Sequence, residues 1–157
     1  MNYLTLALIL VAFSSLSEES PFELNIAELL SKTEQTGDMH YLSRATARCS
    51  GLMSLMHMVF TRDAPATDFG NLEDESFILF NTSYQIDMKK LKNRGGEPSD
   101  NSDAIMIRLG KETNAHFSMY SKWFEKNLLE QGEYFGSSPL LQSEIKLCRQ
   151  IASEIKS

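Results

Sequence analysis

Cys49 and Cys148 are the two cysteines of a 157-residue chain, and each falls within an apolar stripe of helical spacing. Around the first, Leu42, Ala45, Leu52, Met53, Met56, Val59 and Phe60 recur at i, i+3, i+4 and i+7. Around the second, Leu141, Ile145, Ile151, Ala152 and Ile155 do the same. Two inward-facing thiols on separate helices meet only where those helices pack, so a bridge between them would fix which helices are neighbours. Chain-entropy arguments put the closure of so long a loop at about 4–5 kcal/mol. That is large beside a domain stability of roughly 5–15 kcal/mol. In a reducing compartment the same residues would serve as small buried hydrophobes. Neither lies in Cys-x-x-Cys, which argues against a catalytic redox pair.

The rest of the chain carries the same period. Ser20-Pro21-Phe22-Glu23 predicts a helix start, with Phe22, Ile26, Leu29 and Leu30 inward and Gly37 as the stop. The second helix, Met39 to Arg62, bears a stripe of small residues beside the apolar one: Ser43, Ala47, Ser50, Gly51 and Ser54. Small side chains let another helix approach closely, so this helix should be central. A third helix is expected from Asn71 to Asn93, burying Leu72, Phe77, Phe80, Tyr84, Met88 and Leu91. Its acidic first turn and basic last turn complement the helix dipole. Gly95 to Asp103 reads as a long loop, followed by a helix from about Ala104 to Gln131 with Gly132 as its cap. The inner face of that fourth helix is expected to carry Ile105, Leu109, His116, Met119, Tyr120, Trp123 and Leu128. Ser138-Pro139 starts the last helix. The pattern therefore predicts an all-α, single-domain bundle of four to five helices over residues 18–157, with one interhelical disulfide.

Ahead of the bundle, Leu4 to Phe13 has the length of a signal-peptide core and is too short to span a bilayer. Ser15 and Ser17 sit where a signal peptidase needs small residues, so residues 1–17 are expected to be an export signal. No Lys or Arg precedes the apolar run, and a retained hydrophobic helix packed on the body is the alternative. Export would place the protein in a periplasm or outside the cell. No later stretch is apolar enough to cross a membrane. The net charge of −6 and a pI near 5.1 argue against nucleic acid and anionic lipid as partners.

Sites of chemistry are thinly marked. His57 and His116 lie at inner helix edges and are the candidate ligands for a haem or metal held between helices, although no Cys-x-x-Cys-His or Glu-x-x-His accompanies them. A histidine satisfied by one hydrogen bond is the commoner arrangement. No catalytic residue and no cofactor is assigned; a hydrolase ranks last, because no strand-turn-helix elbow exists for a nucleophilic serine. Glu73-Asp74-Glu75 is explained as dipole complement, Lys89 to Arg94 as helix-end charge, and Asp100 to Asp103 as capping of the fourth helix. Asn81-Thr82-Ser83 is a glycosylation sequon inside a helix, where it is not expected to be used. Phe117, Tyr120, Trp123 and Phe124 crowd one helix, and Tyr134-Phe135 stands in a short loop between glycines. One helix cannot turn all these rings to a single core. Trp123, Tyr134 and Phe135, with Arg44 and Arg48 one turn apart as a carboxylate clamp, are therefore the candidate contacts for a protein or small-molecule partner. The expected function is that of an exported, non-enzymatic binding or accessory protein, with a haem- or metal-binding bundle as the alternative.

Overall fold

The structure, a computed structural model, describes residues 21–63, 71–135 and 138–156; the expected export signal lies outside them, as does Pro65, the residue expected from the sequence to end the second helix. The described residues form five α-helices and no strand. These are α1 (Ile26–Thr36), α2 (Met39–Asp63), α3 (Leu72–Asn93), α4 (Pro98–Gln131) and α5 (Pro139–Lys156). The protein is an all-α, single-domain bundle.

α2 is its spine and touches each of the other four helices. Its apolar stripe buries Leu52, Met53 and Met56 against Leu79, Tyr120, Phe124 and Leu141. The serines of its small stripe, Ser43, Ser50 and Ser54, face α3, where Ser76 and Ser83 are also small and buried. Ser43 and Ser83 hydroxyls stand 2.9 Å apart, and Ser54 and Ser76 hydroxyls 2.7 Å apart. Ser76 Oγ also donates to the Ser50 carbonyl, and Ser83 Oγ to that of Ser43. Every buried serine here has a partner, as burial of a hydroxyl requires. On the side facing α4, a Cβ at Gly51 would lie 2.8 Å from the Thr113 carbonyl oxygen and 2.9 Å from the Phe117 nitrogen. Only glycine lets the α4 backbone come this near.

Cys49 and Cys148 are bonded, with Cα atoms 5.2 Å apart and both residues fully buried. The bond joins α2 to α5, as the two apolar stripes require. The caps at Asn71 and Gly132 stand where expected, and Ser138 Oγ accepts the Leu141 N–H at 3.1 Å.

Four local expectations need correction. α1 begins at Ile26 with a capping box of Asn25 and Glu28, so residues 21–24, expected as its first turn, precede it; Ser20, the expected cap, lies outside the described residues. Phe22 and Leu24 precede the helix because other helices hold them, as described below. α4 begins at Pro98, so the segment expected as a long loop is helical from that residue on, with Pro98 in the first turn. Asp100 to Asp103 therefore lie within α4 rather than capping it. Finally, α3 is rotated so that Phe77 is 68% exposed while Leu79 is buried, because close serine packing against α2 outweighs one ring's burial. A similar shift on α4 exposes Leu128 and buries Phe124 and Asn127.

Candidate functional site

The densest polar cluster lies inside the bundle, next to the disulfide. Arg48 precedes Cys49 on α2, and Glu144 stands one turn before Cys148 on α5. The two are 2% and 1% exposed and form an ion pair through Arg48 Nη2 and Glu144 Oε1. Tyr120 of α4 closes the cluster. Its hydroxyl accepts from Arg48 Nε at 2.8 Å and donates to Glu144 Oε2. The remaining capacity goes to the segment before α1: Arg48 Nη1 donates to the Leu24 carbonyl, and Glu144 Oε1 accepts the Ile26 N–H at 3.3 Å. The Phe22 ring lies over the guanidinium at 3.3 Å, a cation–π contact in a dry setting. Both carboxylate oxygens and all three guanidinium nitrogens are thus engaged. Burial, and then the Glu144 charge, push the Tyr120 phenol well above its ordinary value. Both Glu144 oxygens are already accepting and the cluster is closed to solvent, which suits it to holding structure rather than to acting on a substrate. The cluster is equipped to hold four elements in register.

An accessible concavity lies elsewhere. A groove of about 740 Å³ runs between α5, the first turns of α3 and the aromatic loop. Met56, Phe135 and Ile145 supply its apolar surface, with Lys146 and the Glu75–Arg149 ion pair (3.4 Å) along it. The loop itself is tethered to the bundle. Phe135 stacks on Phe60 at 5.6 Å and meets Phe124 edge-on at 5.1 Å, and Asn127 donates to the Tyr134 carbonyl. Tyr134 and Phe135 are half-buried.

The other candidates scatter. Trp123 is buried and stacks on Tyr120, and Arg48 is committed to Glu144. Arg44 is half-buried, near Glu112. The Arg44/Arg48 pair therefore divides: one clamps a carboxylate of its own chain and the other lies near the surface. His57 is half-buried on α2. His116 has neither ring nitrogen hydrogen-bonded; Nε2 stands 3.8 Å from Glu112 Oε1, and the ring lies 5.7 Å from that of Phe22. The adjoining His116 side chain, with Arg108 and Arg44 beyond, holds the Glu112 carboxyl below the usual range against the effect of partial burial. Lys90 pairs with Asp38 at 3.4 Å. Among the described residues no group of three or more His, Cys, Asp or Glu is placed to hold a metal ion, and no helix is long and apolar enough to cross a membrane.

Glu144 and Tyr120 were not singled out as site residues by the sequence. The signal was present for Glu144: it falls on the apolar stripe of α5, three residues after Leu141 and four before Cys148. A carboxylate in that position needs a buried cation, and Arg48 beside the partner cysteine is the obvious one. No protein family, curated protein or solved structure matches this chain.

Proposed function

We propose that the chain is an exported, non-enzymatic binding or accessory protein that meets its partner at the groove between α5 and the aromatic loop. The observation carrying this reading is the composition of that groove: Met56, Phe135 and Ile145 beside Lys146, Arg149 and Glu75. Apolar contact area with charged groups beside it is the make-up of recognition surfaces. The buried ionic cluster, by contrast, is closed to solvent, which supports a structural part for it. Export is supported by the Leu4 to Phe13 pattern and by a disulfide that an oxidising compartment would preserve.

The test is site-specific photo-crosslinking in the native compartment, with the reactive residue at Gln150 in the groove or at Glu125, exposed on α4. One discrete adduct from position 150, absent from 125 and lost in Phe135→Ala, is expected. Equal labelling at both positions would overturn the groove. A second reading, a haem- or metal-binding bundle, draws on His116, a half-buried ring whose two nitrogens make no hydrogen bond. Stoichiometric metal or a visible haem band, lost in His116→Ala, would replace the first reading with this one.

A further inference from the structure

We infer that the face built by Arg48, Tyr120 and Glu144 is a peptide-docking site, filled in this fold by the chain's own residues 22–26 and able to take the same segment from a second copy. Two of the contacts are to backbone: the Leu24 carbonyl on Arg48 and the Ile26 N–H on Glu144. Two more are pockets for side chains. Phe22 fits between the guanidinium and the Tyr120 ring, 4.8 Å away, and Ile26 is fully buried. Paired backbone bonds with alternating side-chain pockets are how proteins bind a segment of another chain.

Three features make the segment exchangeable. The receiving groups belong to α2, α4 and α5, and the Cys49–Cys148 bond joins two of those helices whether or not α1 is in place. α1 carries its own capping box, Asn25 with Glu28, so two N–H groups at its start stay satisfied when the segment leaves the bundle. Its link to α2 is only Gly37 and Asp38, both exposed. Gly37 holds a left-handed φ of 68°, and Asp38 accepts the His40 N–H. Short hinges of this kind are where identical chains swap elements. If α1 swings out, Arg48 and Glu144 each lose a partner in a buried site, and the group best shaped to restore both is α1 of another molecule. Reciprocal exchange closes a two-fold dimer.

The test uses the full chain with Gly37→Ala and Asp38→Ala together, which strains the turn and removes the Asp38 cap so that α1 can run on into α2. Alanine in a left-handed conformation is disfavoured about five- to thirtyfold, and light scattering should show the dimer fraction at fixed concentration raised by that order. In that dimer α1 amides should be protected from hydrogen exchange, and adding Phe22→Ala should return the protein to monomer. A hinge variant that stays monomeric, whether α1 is protected or exposed, would overturn the inference, as would a dimer indifferent to Phe22→Ala. Should the variant not fold, the unaltered chain is unfolded and refolded at high concentration as a mixture of isotopically light and heavy copies. Mixed dimers by native mass spectrometry support exchange, and monomers alone refute it.

Discussion

At the scale of single residues, Arg48 and Glu144 show how a buried charge differs from a surface one. An exposed pair contributes at most about 1 kcal/mol, but removing one member of a buried pair leaves the other stranded, at about 3–5 kcal/mol. Glu144→Ala is expected to lose that much in urea unfolding. Arg48→Met with Glu144→Leu should recover part of the loss and still fall short of the parent by about 1–3 kcal/mol. The shortfall arises because the Leu24 carbonyl and Ile26 N–H lose their partners whichever apolar residues replace the ions. Full recovery would show that those two backbone contacts contribute nothing. Tyr120 gives a second expectation, at alkaline pH. Its phenol is held well above the ordinary value in the fold, so below about pH 10 both states are protonated and its contribution is intact. Above that pH the unfolded chain gives up its proton while the fold cannot, and stability drains. Tyr120→Phe should remove up to about 1.4 kcal/mol per pH unit from that slope; an unchanged slope would show that the phenol is not the group responsible.

At the scale of helices, legibility depended on how strongly each face was written. α2 could be read nearly to its ends, because large apolar residues mark one side of it and the cysteine fixes the centre. α3 was misjudged in rotation, since Ser76 and Ser83 are weak signals of burial and Phe77 a strong one; the serines won because α2 offers them a matching stripe. The start of α1 was ambiguous in principle. Ser20 to Glu23 and Asn25 to Glu28 are both capping-box spacings, and only the grip of Arg48 on Leu24, which is remote in sequence, selects the later one. The groove was invisible for the same reason, being assembled from α2, α3, α5 and a loop. Two glycines in helices test the packing directly. Gly51→Ala would press a methyl into the α4 backbone and should cost about 1–3 kcal/mol. Gly110→Ala meets open space and should stabilise by about 0.4–1 kcal/mol. Thermal melts that rank the pair the other way would contradict the close α2–α4 approach.

At the scale of the whole molecule, the disulfide closes a loop of 99 residues and ties the spine to the last helix. Reduction, or Cys49→Ser, is expected to lower stability by about 4–5 kcal/mol, read as a shift in denaturant midpoint with helix content retained under native conditions. A shift below 1 kcal/mol would mean that the packing alone already sets the α2–α5 register. Neither sulfur-bearing residue has any surface of its own. A small thiol must therefore wait for the bundle to part before it can attack. At high reagent concentration the rate of loss of the bond should level off at the rate of that parting, so a bench reductant becomes a clock for the rarest excursions of this protein.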